Sequence, residues 1–147
     1  MTSSEIDELF TSEVETVLNN KKLLIIDDQP GVRQMLQEVF MAENMDVLLA
    51  ASGREAFEVL QKQEPDLILL DMKMPEMTGV EFLQQLRAKD INYPVILMSA
   101  YGEHEINQEK EEIGILEHVT KPFDLQEIIN AVNRAFSTKD AGSKVRK

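Results

Sequence analysis

Leu23-Leu24-Ile25-Ile26-Asp27-Asp28 is the stretch on which the fold turns. Four apolar residues in a row, ending abruptly on two acids, read as a short strand buried on both faces. A second run, Leu67-Ile68-Leu69-Leu70, ends in the same way on Asp71. Parallel strands that finish on carboxylates place them along the C-terminal edge of the sheet, where open α/β folds bind their ligands. Three carboxylates gathered there repel one another unless a cation sits among them, and a hard divalent cation such as Mg²⁺ prefers oxygen ligands of this kind. The expectation is a small acidic metal pocket formed by Asp27, Asp28 and Asp71.

Working outward, short apolar runs alternate with stretches of helical period. Val32, Met35, Leu36, Val39 and Phe40 follow at i, i+3, i+4, i+7 and i+8, a helix with one buried face. Val47 to Ala50 reads as a second strand, and Ser52 is placed to cap a helix carrying Ala56, Phe57 and Leu60. After the Leu67–Leu70 strand, Met74 to Gly79 forms a loop by its Pro and Gly, and Val80, Phe82, Leu83 and Leu86 mark another helix. Pro94 opens a fourth strand, Val95 to Met98. A polar helix from about Glu103 to Ile113 ends at Gly114, a weaker fifth strand spans Ile115 to Val119, and a last helix holds Leu125, Ile128, Ile129, Val132 and Phe136. Five such units predict an α/β chain with a doubly wound, parallel five-stranded sheet covered by helices on both faces. Whole helix–strand steps separate Asp28, Asp71, Ser99 and Lys121, so all four fall at one edge of it.

With 147 residues, 43% apolar and 29% charged, the chain has the size and balance of one globular domain, placed at 21–137. Residues 1–20 form an amphipathic extension: Ile6, Leu9, Phe10, Val14, Val17 and Leu18 keep helical spacing behind a possible N-cap at Ser4. A helix packed on its own domain, a helix that dimerises or docks a partner, and a disordered leader all fit that segment. Residues 138–147 form a basic tail, read as solvated rather than as a docking element. The net charge of −12 opposes binding to nucleic acid. No run approaches the roughly 20 apolar residues of a membrane span, and the N-terminus lacks the regions of a signal peptide. The absence of cysteine removes disulfides, thiolate metal sites and a cysteine nucleophile. A cytoplasmic protein that acts on neither nucleic acid nor membrane is expected.

The residues of the edge suggest a chemistry. A carboxylate acting as a nucleophile needs its charge screened until an electrophile arrives, which a bound Mg²⁺ can do. The ammonium of Lys121 and the hydroxyl of Ser99 would complete a cage for the three equatorial oxygens of a phosphoryl group in flight.

Taken together, Leu23 to Gln29, Leu70-Asp71-Met72-Lys73-Met74-Pro75-Glu76-Met77-Thr78-Gly79, Ser99-Ala100-Tyr101 and Lys121-Pro122-Phe123 closely resemble the receiver domain of bacterial response regulators, from about Lys21 to Phe136. The resemblance implies a flavodoxin-like receiver fold, with Asp71 taking phosphate from a phosphohistidine. It implies Mg²⁺ held by Asp27, Asp28, Asp71 and the backbone carbonyl of Lys73, phosphoryl oxygens met by Ser99 and Lys121, and a cis peptide between Lys121 and Pro122. Asp27-Asp28-Gln29, Leu70-Asp71-Met72-Lys73, Ala100-Tyr101-Gly102-Glu103 and His118 ahead of Lys121-Pro122-Phe123-Asp124 are similar to the stand-alone members that serve sporulation phosphorelays. Such members pass phosphate from sensor histidine kinases to a histidine phosphotransferase, so those partners, and a phosphatase, are implied, with phosphotransferase-like activity and no separate small-molecule substrate. The chain stops soon after its last helix, and no output domain is expected. His118 replaces the Tyr or Phe common in the family and is read as a partly exposed strand residue on the partner face. Gln29, Lys73 and Tyr101 join it in setting partner contact and phosphate lifetime, Lys73 and Tyr101 by shielding the acyl phosphate from water. Ser99 in place of Thr, Ile115 in place of Ala, and Pro30 beside the acidic pair depart from the common pattern. A chemotaxis-type regulator acting by phosphorylation-dependent binding is the alternative. A dehalogenase-type phosphatase would want an acid at position 73, where this chain has Lys.

Overall fold

The apolar runs do become strands, and each is held by neighbours on both sides except at the two ends of the sheet. The computed structural model describes residues 18–100 and 114–145, with side chains as far as Ser137. The expected extension helix before Leu18, the polar helix near 103–113 and Tyr101 lie outside the described residues. The elements are β1 (Lys22–Ile26), α1 (Pro30–Ala42), β2 (Asp46–Ala50), α2 (Gly53–Lys62), β3 (Leu67–Asp71), α3 (Gly79–Ala88), β4 (Val95–Ser99), β5 (Ile115–Thr120) and α4 (Leu125–Val145). All strand pairings are parallel, in the order β2-β1-β3-β4-β5. Helix α4 runs into the stretch set apart from the sequence as a basic tail.

Alternation along the strands divides the core into two layers. Leu23 and Ile25, Leu67 and Leu69, and Ile96 and Met98 pack under α1 and α4, against Leu36, Phe40, Ile128, Val132 and Phe136. Leu24 and Ile26, Ile68 and Leu70, and Val95 and Leu97 pack under α2 and α3, against Ala56, Phe82, Leu83 and Leu86. Crossovers from β1 to β2 and from β2 to β3 run in opposite directions across the sheet, and their common right-handedness puts the connecting helices on opposite faces. Each fully buried Leu, Ile or Phe contributes about 1.5–3 kcal/mol. Leu18, just ahead of β1, is buried in the α1/α4 layer with Phe40, Met45 and Phe136, so the chain entering the domain is tied to its core.

Helix starts are chemically marked. The Ser52 side chain accepts the Glu55 N–H, as the sequence suggested. At α3 the Thr78 hydroxyl accepts the Glu81 N–H while the Glu81 carboxylate accepts the Thr78 N–H, a capping box. Asp124 and Glu127 exchange the same pair of bonds at the start of α4. Pro30 opens α1, where its missing N–H costs nothing.

Strand β5 carries an irregularity. Val95 pairs with Ile115, but Ile96 pairs with Glu117, leaving Leu116 as an extra residue. A regular strand would put Ile115 and Val119 on one face; the bulge sends Ile115 to the α2/α3 layer and Val119 to the α1/α4 layer. Glu117 thereby lands on the α4 side, where Arg134 donates to both its oxygens at 2.9 and 2.7 Å.

One glycine is dictated by close approach. A Cβ at Gly79 would lie 2.5 Å from the Asp71 carbonyl oxygen and 3.1 Å from the Met72 Cα, and the Gly79 N–H donates to the Met72 carbonyl at 2.8 Å. A Cβ at Gly31 would meet nothing within 4 Å. Gly79→Ala should therefore cost about 1–3 kcal/mol, and Gly31→Ala should stabilise by about 0.4–1 kcal/mol; urea unfolding of the two variants beside the parent checks both.

Candidate functional site

Strands β1 and β3 are neighbours although β2 lies between them in sequence, so the chain leaves them in opposite directions and opens a crevice at their C-terminal ends. Asp27, directly after β1, and Asp71, the last residue of β3, face that crevice; they are 0% and 4% exposed. Ser99 ends β4 and is 2% exposed, while Lys121 follows β5, tied to β4 by its N–H on the Ser99 carbonyl at 2.7 Å. Backbone bonds from Asp27 to Ala50 at 3.1 Å and from Met72 to Met98 at 2.7 Å hold these strand ends level.

The Lys121 ammonium crosses the crevice, donating to Asp27 Oδ2 at 2.8 Å and to Asp71 Oδ1 at 3.3 Å. The Asp27 carboxylate is firmly anchored, since its Oδ1 also accepts the Gln29 N–H at 2.9 Å. Asp71 is held more loosely: its Oδ1 accepts the Lys73 N–H at 3.4 Å. Burial, and then the nearby Asp27 charge, push the Asp71 carboxyl up to about 6, with Lys121 and the Lys73 N–H pulling the other way. Burial alone would lower the Lys121 ammonium; hydrogen bonding and attraction to Asp27, with Asp71 adding to them, carry it above its ordinary value instead. Among the described residues the Lys121 ammonium thus serves both buried anions, with Asp28, half-buried, beside them.

Carboxylate oxygens of Asp27, Asp28 and Asp71 all lie within 4.8 Å of one another. An all-oxygen donor set, with neither imidazole nor thiolate, and a carboxyl whose charge is poorly compensated, fit a hard divalent cation such as Mg²⁺. Among the described residues this is the only such group of acids and histidines.

Of the other residues picked out from the sequence, Gln29 and Lys73 flank the crevice through their backbone N–H groups. The peptide between Lys121 and Pro122 is cis, as implied. His118 is half-buried on β5 and pairs with Leu97, not with the acids. Beside the crevice, Gln29, Val32, Met35, Ala100, Lys121, Pro122 and Phe123 line a cavity of about 350 Å³. The apolar stripe of α1 is divided: Leu36 and Phe40 are fully buried, while Val32 and Met35 reach the cavity.

Three contributors escaped sequence reasoning. Arg33 donates to the Asp27 carbonyl oxygen at 2.7 Å, a contact no local pattern announces. Gly79 lies against the Asp71 backbone. The Thr78–Glu81 box fixes the start of α3 behind Asp71, and its T-x-x-E spacing was there to be read.

The raised Asp71 carboxyl has a consequence for stability. Because its folded value lies above the unfolded one, the folded state holds the extra proton, so stability is lost as pH rises from about 4 through about 6. Without divalent metal, Asp71→Asn should stabilise the domain by roughly 1–3 kcal/mol at pH 7. That gain should shrink toward zero below pH 4 and on adding Mg²⁺, as chemical denaturation across the pH range would show.

The sequence profile of the response regulator receiver domain matches residues 23–133. The sporulation initiation phosphotransferase F of Bacillus subtilis is 47% identical over 120 residues, covering 82% of this chain and 97% of that protein. The chemotaxis protein CheY of Thermotoga maritima is 31% identical over 115 residues, covering 78% of this chain and 96% of that one. Among solved structures, the receiver domain of the Francisella response regulator 1452 superposes with a TM-score of 0.75 at 32% identity, covering 82% and 99% of the two chains. A matched profile over most of the chain, on a sheet of this order with its acids at the switch point, leaves one assignment: the chain belongs to the response regulator receiver domain family.

Proposed function

We propose that this chain is a phosphorelay intermediate, taking a phosphoryl group from a sensor histidine kinase onto Asp71 and yielding it to a histidine phosphotransferase. The observation that carries the reading is the Lys121 ammonium reaching both Asp27 and Asp71 across the crevice. An Asp71 oxygen attacks phosphorus, the P–N bond of the donor phosphohistidine breaks, and the imidazole leaves with its electron pair. The return step forms a P–N bond on the acceptor histidine and frees the carboxylate. Mg²⁺, held by Asp27, Asp28, Asp71 and the Lys73 carbonyl, would neutralise the carboxylates and spread the charge of the phosphoryl oxygens. Lys121 supplies a fixed positive charge to one of those oxygens. The buried Ser99 hydroxyl donates to another. Lys73 and Tyr101 shield the acyl phosphate from water, giving slow self-hydrolysis.

The cavity along Val32, Met35, Pro122 and Phe123 adjoins the crevice, and an apolar wall there suits a helical partner that must bring its histidine to Asp71. Gln29 and His118 belong to the surface such partners read. Greater identity to a relative named a phosphotransferase than to one named a chemotaxis protein favours relay over a terminal switch.

Transfer from a phosphorylated histidine phosphotransferase to the parent and to Asp71→Ala, with and without Mg²⁺, tests this. The expected outcome is metal-dependent label on the parent alone, returning to the donor on chase. Label that drains to water would favour the chemotaxis-type alternative, and an unlabelled parent, beside a receiver that the same donor does label, would refute the relay.

A further inference from the structure

Asp27 is held at every polar atom of its backbone and side chain. Its N–H donates to Ala50 of β2, one carboxylate oxygen takes the Gln29 N–H, the other takes Lys121, and its carbonyl oxygen takes the Arg33 guanidinium at 2.7 Å. The first three bonds fix the Asp27 side chain and the strand end. Only the fourth acts on the peptide plane that joins Asp27 to Asp28. Rotation of that plane swings the Asp28 Cα, and with it the half-buried carboxylate that completes the acidic group. Arg33 sits in the first turn of α1, its own N–H on the Gln29 carbonyl at 3.1 Å, so the clamp also ties the helix start to the acidic loop.

We infer that Arg33 is a positioning residue for divalent-cation binding: by locking the Asp27–Asp28 peptide to α1 it holds the Asp28 carboxylate where it can share a cation with Asp27 and Asp71. The inference rests on the proposed Mg²⁺ reading of the acidic group. It has a signature that simple electrostatics reverses. A guanidinium close to a cation site repels the incoming ion, so if charge alone mattered, removing Arg33 would tighten Mg²⁺ binding. A lost clamp loosens a ligand and weakens binding, and outer-shell partners of metal ligands typically govern 10–100-fold in affinity. Val32 and Met35, on the same stretch of α1, line the cavity beside the crevice, so the clamp and the cavity wall share one helix.

The test is Mg²⁺ binding by titration calorimetry to the full chain, its Arg33→Met and Arg33→Lys variants, and Asp28→Ala, with metal-free thermal unfolding of each. Arg33→Met keeps the stem and removes the donor; it should bind Mg²⁺ about tenfold more weakly with little change in metal-free unfolding. Arg33→Lys, which keeps a donor, should recover most of the affinity. Unchanged or tighter binding in Arg33→Met overturns the inference. So does equal weakening in both variants in step with a lower metal-free melting temperature, since that marks a purely structural role. If Arg33→Met does not fold, Arg33→Lys decides: affinity within threefold of the parent supports the clamp, and a larger loss overturns it. A parent that binds no Mg²⁺, or an Asp28→Ala variant that binds as well as the parent, refutes the metal reading itself and the inference with it.

Discussion

Two buried carboxylates facing each other across a crevice cannot both stay charged without help, and among the described residues that help comes from the Lys121 ammonium. Lys121 bonds Asp27 at 2.8 Å and reaches Asp71 only at 3.3 Å. The sharing is unequal, and so is the outcome: Asp27 is fully anchored, while Asp71 keeps a carboxyl raised to about 6. A group that is buried, charged and under-satisfied is costly to fold around. It is also well placed to take up a cation or an electrophile, because either relieves the imbalance. Much of the surrounding structure can be read as what is needed to keep that tension in place.

The sheet supplies the placement. Parallel strands bring their C-terminal ends to one edge, and the switch between β1 and β3 opens the crevice between the two acids. Gly79 lets the start of α3 come up against the Asp71 backbone, and the Thr78–Glu81 box holds it there. On the other side the Lys121 N–H is pinned to the Ser99 carbonyl, so the ammonium enters from a fixed base. The bulge in β5 adjusts which face each of its residues serves without disturbing the register at Ser99 and Thr120. These are local devices serving one electrostatic arrangement.

The α1 helix links that arrangement to the outside. Leu36 and Phe40 are sunk in the core, which makes the helix a rigid wall. Val32 and Met35 face the cavity next to the crevice, and Arg33 between them grips the acidic loop from behind. That wall is thereby bonded directly to the Asp27 backbone.

Strand positions, the sheet class and the gathering of Asp27, Asp28, Asp71, Ser99 and Lys121 at one edge were all legible in the sequence. The reason is that each follows from a short-range rule: continuous apolar runs make doubly buried strands, and parallel strands end together. Strand ends shifted only slightly, β3 and β4 extending to include Asp71 and Ser99 themselves. What tertiary structure alone decided is how the charges are shared. Nothing in the order of residues says that Lys121, 94 positions from Asp27, favours it over Asp71, that Arg33 turns back onto a carbonyl, or that Leu116 bulges out of β5. Those outcomes depend on distances of a few tenths of an ångström between segments remote in sequence. Electrostatic and steric energies change steeply over such distances, whereas the apolar pattern that builds the fold hardly registers them.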